Sequence, residues 1–291
     1  MATRARGLHA RFEGIKPDPA KSRALSADHP AARDGRTVFL GNVATTAESA
    51  RFLISGVNNS KIGGEVQKGP WAGMPIYTLT LEERATCPRS CEQWLTCYGN
   101  ALHWPKRWDH RDPEFLPALE AEVITTGRLH RGGFVVRLHV LGDFYSPEYV
   151  LFWAKLLMRV PSLRVYGYTA CTRYDLDPNV RRTAEAIHVL TERMWSRFAI
   201  RTSSDAPSVA RSRAIVVDAA ADDEATVTCP AATGATSSCS TCALCWSPHA
   251  RDKTIAFLRH GMTREKGPRP AKSGEIRRNL RMGRLRSNQI R

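Results

Sequence analysis

The sequence predicts an α/β fold: a partial or open (β/α) barrel with mainly parallel strands and a C-terminal cysteine-rich metal-binding segment. Three observations predict it. The 291 residues are 42% hydrophobic and 24% charged, ordinary globular material that excludes collagenous, coiled-coil and wholly disordered chains. From residue 134 onwards, β-rich runs alternate with helical segments of a dozen or more residues, the pattern of right-handed βαβ units. The first strand feeds a long, cysteine-bearing loop instead of a short one, and long loops are where function concentrates.

The elements follow in order. Residues 1–36, with Pro17, Pro19 and Pro30, read as a flexible basic leader; 37–263 form the α/β core, and 264–291 a basic, disordered tail. Residues 38–57 have helical character, and 58–64 are rich in turn formers. A β-rich run at 75–81 leads straight into cysteines, and 134–140 is the second strand, ended by Leu141-Gly142-Asp143. Ser146-Pro147-Glu148 opens a helix with a capping serine, a first-turn proline and an acid beside the positive helix end. It stops before Pro161. A strand at 164–170, a helix at 178–193, a strand at 197–202, a short helix near 206–211, and strands at 214–218 and 254–258 complete the pattern.

The net charge of +15 sits in the tails. Residues 1–23 carry six basic against two acidic residues, and 264–291 carry ten against two, which leaves only +3 for everything between. Such tails grip phosphate without reading sequence, so nucleic acid is the expected partner; a solvated tail that aids solubility is the alternative. No stretch is apolar for long enough to span a membrane and no secretory signal leads the chain, so the expected location is the cytoplasm.

Cysteines carry the chemistry. Cys87, Cys91 and Cys97 form C-x3-C-x5-C after the first strand; Cys229, Cys239, Cys242 and Cys245 form C-x9-C-x2-C-x2-C near the end. In a cytosolic chain, clusters with such short gaps read as metal sites and not as disulfides. The four C-terminal thiols suit structural zinc or an iron–sulfur cluster. The N-terminal three would leave one iron of a cluster open to substrate or cofactor; a zinc knuckle completed by His103, His110 or Cys171 is the alternative.

Strand ends add a possible polar site at the same edge of the sheet. Alternation puts Arg137 and His139 on one face of the second strand, with Asp143 beyond its end, and these are the candidate catalytic residues. Asp143, Tyr168 and Thr169 of the third strand, and Arg201 and Ser203 of the fourth, are candidates for cofactor binding.

Several of these segments together resemble a phage-associated family, gene product 88, over residues 55–260. The matching elements are Asn59-Ser60-Lys61-Ile62-Gly63, Thr96-Cys97-Tyr98, the run from Arg137 to Phe144, Tyr168-Thr169, and Cys229-Pro230 with Cys239-x2-Cys242-x2-Cys245-Trp246. More distantly, the layout resembles radical S-adenosylmethionine enzymes. That likeness implies a [4Fe-4S] cluster on Cys87, Cys91 and Cys97, Asp143 beside the cofactor ammonium, and an auxiliary cluster on the C-terminal four. The last gap of the loop is longer here than in those enzymes, and Gly142-Asp143-Phe144 stands where they carry Gly-Gly-Glu. The expected cofactors are one or two iron–sulfur clusters with S-adenosylmethionine, zinc being the alternative metal. The expected function is that of an iron–sulfur enzyme of radical type acting on an unknown substrate. The alternative is a non-catalytic zinc or iron–sulfur protein that binds nucleic acid.

Overall fold

A computed structural model describes residues 43–48, 51–94, 97–102, 105–207 and 209–259. The leader and the basic tail lie outside the described residues. An eight-stranded, mostly parallel sheet forms the centre. Its strands are β2 (Ile54–Ser55), β3 (Ile76–Thr78), β5 (Phe134–Leu138), β6 (Leu163–Thr169), β7 (Phe198–Ser203), β8 (Arg213–Val217), β9 (Thr226–Thr228) and β10 (Thr254–Leu258). Their spatial order is β2-β3-β5-β6-β7-β8-β10-β9, with only β2 antiparallel to its neighbour. A separate parallel pair joins β1 (Val43–Ala44) to β4 (Arg107–Trp108).

Helices α2 (Phe115–Leu129), α3 (Pro147–Arg159) and α4 (Pro178–Met194) cover one face of the sheet. Ser146 caps α3 by accepting from the Tyr149 N–H (3.2 Å), and Asp177 caps α4 through the Asn179 N–H (2.7 Å). Beneath the helices, Phe134, Val136 and Leu138 of β5 and Val165 of β6 pack against Leu119, Val123, Trp153 and Ile187. On the opposite face, Val135, Tyr166, Ala199 and Ile255 meet Trp71, Trp246, Cys229 and Cys245. The sheet thus separates a helical layer from a layer built of loops and cysteines.

Several expectations change. Within 38–57 the described residues form β1, a turn at Thr46–Glu48, β2 and a turn at Gly56–Asn58, not a helix. Of residues 206–211, the described ones, 206–207 and 209–211, form no helix. A helix is unnecessary there, because β8 begins where β7 ends: the paired residues are Thr202 with Arg213 and Ser203 with Ala214. The chain need not retrace the length of the sheet, so the usual long parallel crossover is replaced by a short one. Helix α2 was not expected from the sequence, and neither were β4 and β9. No helix among the described residues is long and apolar enough to cross a membrane.

Candidate metal centre

The chain leaves β3 and forms a single helical turn, α1 (Glu83–Thr86), before Cys87, whose N–H closes that turn on the Glu83 carbonyl (3.0 Å). Cys91 ends a turn on the Pro88 carbonyl (3.1 Å), and the Cys97 sulfur accepts from the Gly99 N–H (3.4 Å). Behind the loop, Arg107 of β4 is fully buried and binds Glu83 through two contacts of 2.7 and 2.9 Å.

The end of β5 closes onto this loop. The Asp143 N–H donates to Thr86 Oγ1 (3.1 Å), and Leu81 donates to the Leu141 carbonyl (2.9 Å). Gly142 makes that approach possible. Its φ is +88°, and a Cβ there would lie 2.7 Å from both Leu81 Cβ and Thr86 Oγ1. The Asp143 carboxylate accepts from the Phe144 N–H (2.7 Å) and the Ala170 N–H (2.6 Å), tying β5 to the end of β6.

The three thiols feel one another and Asp143. Burial, then Asp143, Cys91 and Cys97, push the Cys87 thiol well up; burial foremost pushes Cys91 up to about 12. Burial also lifts Asp143 to about 6, against the lowering effect of its N–H donors, the Thr169 hydroxyl and Arg137. Cys171 is buried next to this group, donating to the Phe144 carbonyl (3.4 Å), and its thiol is raised by burial and then by Asp143. His103 lies outside the described residues.

The C-terminal four line one pocket together with Leu244 and Trp246. Cys229 follows β9 and caps α5 (Pro230–Thr233). Cys239 and Cys242 begin and end α6 (Cys239–Cys242), whose N-terminus is closed by reciprocal bonds between Ser238 and Thr241. Cys245 follows in a tight turn at Leu244–Trp246. The turn rests on an early segment: Cys239 and Ser240 donate to the carbonyls of Lys61 (2.8 Å) and Ile62 (2.9 Å). Gly63, at φ +84°, passes under it. Trp71 stacks on Trp246 at 5.3 Å. Burial pushes the Cys239 thiol up to about 12 and raises Cys229 and Cys245 as well.

The candidate polar residues divide between the two faces. Arg137 reaches the cysteine face, over the rings of Tyr168 (4.5 Å) and Tyr166 (5.4 Å). His139 does not accompany it, because β5 ends at Leu138 and the alternation ends with the strand. The imidazole lies on the helical face, with Nε2 on the Tyr149 hydroxyl (3.0 Å) and Phe144 edge-on at 5.1 Å. Burial foremost, with Arg137 adding to it, holds it down to about 3, so the ring is neutral. Tyr168 donates to Cys245 Sγ (2.8 Å). Thr169 Oγ1 accepts from the Cys171 N–H (3.0 Å). Arg201 is fully buried and donates to the carbonyls of Cys245 (2.9 Å), Lys253 (2.8 Å) and Ala250 (2.6 Å). Ser203 is the partly buried last residue of β7. Tyr166 shares the cysteine face with Tyr168, as their spacing in the strand predicts; Glu83 and Arg107 carry no such signal, since their partners are distant in sequence.

Among the described residues, no three or more His, Cys, Asp or Glu side chains are drawn together as ligands of one ion. The donor chemistry nonetheless suits a soft metal. Each group unites thiols whose neighbours raise one another's pKa, a conflict that a bound cation reverses. In the layer containing Cys229 and Cys245, the buried Trp246 Nε1 has no hydrogen-bond partner among the described residues, and the buried Tyr166 hydroxyl faces Cys239.

Fold and site define an α/β protein with a mostly parallel sheet that carries four thiols on the face opposite its helices and three in a loop at the end of β5. The chain belongs to the gene product 88 family, whose model matches residues 51–248 and so includes all eight cysteines. No curated protein and no solved structure matches it.

Proposed function

We propose that this chain is an iron–sulfur protein with two thiolate-held centres, one reactive and one permanent. The observation that carries the reading is the convergence of Cys229, Cys239, Cys242 and Cys245 on one pocket, from segments that the fold must bring together. Four cysteines form a complete ligand set, which suits a centre that is held and not consumed. Cys87, Cys91 and Cys97 are one ligand short, and they share their surroundings with Asp143 at the carboxyl end of a parallel strand. Ligands of open parallel sheets bind at that edge. A cluster held there would supply electron transfer and, in the radical S-adenosylmethionine-like reading, a vacant iron for the cofactor. The chain's own part is to orient and to exclude water: Asp143 would receive a cationic group, and Tyr168 and Thr169 would border it.

Protein isolated without oxygen tests this. Iron and acid-labile sulfide should be present, and Cys87→Ser and Cys239→Ser should each remove only their own share. Cleavage of S-adenosylmethionine after chemical reduction should be lost with Cys87→Ser. Colourless protein with stoichiometric zinc, or with no metal, overturns the reading.

A further inference from the structure

Three guanidinium groups are enclosed in this fold, and they are not treated alike. Arg107, behind the N-terminal cysteine loop, has its carboxylate in Glu83. Arg201 is fully buried, stacks at 5.3 Å from the Trp195 ring centre and donates only to carbonyls. Arg137 is largely enclosed, with two tyrosine rings beside it and, among the described residues, a single hydrogen bond, to the Leu138 carbonyl (2.6 Å). Among the described residues, neither Arg137 nor Arg201 is ion-paired with a carboxylate.

Both lie against the C-terminal thiols. Arg201 holds the carbonyl of Cys245 itself. Arg137 covers Tyr168, the ring whose hydroxyl reaches Cys245 Sγ, and Tyr166, whose buried hydroxyl faces Cys239. An enclosed cation that no carboxylate pairs with at contact distance, with only Asp143 or Asp252 acting on it from further off, is expensive, and guanidinium cannot shed its proton to escape the cost.

We propose that Arg137 and Arg201 are the built-in counter-cations of a four-thiolate metal centre on Cys229, Cys239, Cys242 and Cys245, which is therefore doubly negative and uses all four thiolates. This rests on the reading of the four thiols as a metal site. A divalent ion with four thiolates has that charge, and so does a four-iron cluster in its oxidised resting form. A centre with a neutral fourth ligand would leave one guanidinium uncompensated. The Tyr166 and Tyr168 hydroxyls complete the shell as donors to sulfur, the kind of second layer that tunes thiolate centres. Arg137 is thus a positioning residue: it acts on the metal through charge, without touching it.

The test uses the full chain, stripped of metal under reducing conditions and titrated with cobalt(II), whose thiolate charge-transfer absorption reports the ligands. Cys239→Ser identifies the part of the signal that belongs to this pocket. Arg137→Met should weaken cobalt binding there by roughly 10–100-fold, and Arg137→Lys by less. Arg201→Lys, which keeps a cation where Arg201→Met would strand three buried carbonyls, should weaken it more mildly. The thermal midpoint gives the decisive sign. Without metal, Arg137→Met should be at least as stable as wild type, because an uncompensated cation is gone; with metal it should be less stable. Unchanged affinity in Arg137→Met, or equal destabilisation with and without metal, overturns the proposal and leaves the metal site standing. Absence of any cobalt–thiolate signal sensitive to Cys239→Ser overturns both.

Discussion

Gly63→Ala should dislodge the C-terminal cysteines although the residue lies far from them in sequence. A Cβ on Gly63 would stand 2.1 Å from Ser240 Oγ and 2.8 Å from Ser240 Cβ, in the middle of α6. The backbone is at φ +84°, which costs an L-residue about 1–2 kcal/mol. Overlap with a packed neighbour adds about 1–3 kcal/mol. The sum, roughly 2–5 kcal/mol, corresponds to a thermal midpoint lower by about 5–20 °C for a protein of this size. Ser240→Gly removes both of the nearest colliding atoms and leaves Ser238 Oγ, at 3.1 Å, as the nearest that remains. Added to Gly63→Ala, it should therefore restore the steric part but not the conformational part. A double-mutant cycle read by calorimetry should give a coupling of about 1–3 kcal/mol. Strict additivity, or an unshifted midpoint in Gly63→Ala, would refute the contact between the two segments.

Other perturbations test the frame around the site. At Gly167, opposite Leu138 in the β5–β6 ladder, an added Cβ would fall 1.6 Å from the Leu138 carbonyl; Gly167→Ala should give no soluble folded protein, whereas Gly132→Ala, in open space, should express normally. Glu83→Gln leaves the buried Arg107 without its carboxylate and should cost about 3–5 kcal/mol in urea denaturation. Burial, reinforced by Glu83 and Asp109, raises Glu82 from its ordinary 4.5 to about 7. The folded state then holds a proton that the unfolded chain has released, so stability should fall as pH rises from 4.5 through 7. That loss is on the order of 3 kcal/mol, and Glu82→Gln should flatten the profile over this window. An unaltered slope in the variant would assign the pH dependence elsewhere.

Strands and helices with strong local signals were legible in the sequence. Phe134 to Leu138, the Ser146-Pro147 helix start and the Asp177-Pro178 start each carry their own cue. Helix α2 hid because Pro117, Val123, Ile124, Thr125, Thr126 and Gly127 are poor helix formers. The proline is tolerated in the first turn, where its missing N–H has no intrahelical partner, and Leu119 and Val123 gain fully buried positions. At the site, spacing grouped the cysteines, but it could not show that Arg137 and His139 part company at Leu138, since alternation assumes that the strand continues. Nor could it pair Glu83 with Arg107 or seat α6 on Lys61 and Ile62. Those are long-range contacts, and nothing local to any of the residues announces them.

The order β8-β10-β9 has a consequence for how the molecule is made. Among the described residues β9 borders only β10, and the Cys229 N–H is bonded to the Ala256 carbonyl (2.7 Å). On a ribosome, every cysteine emerges before the strand that fixes the first of the last four. Until residues 254–258 slide into the gap, β9 has no neighbour to lie against. A nascent chain halted just short of that strand would carry all its thiols and still lack the cradle for them.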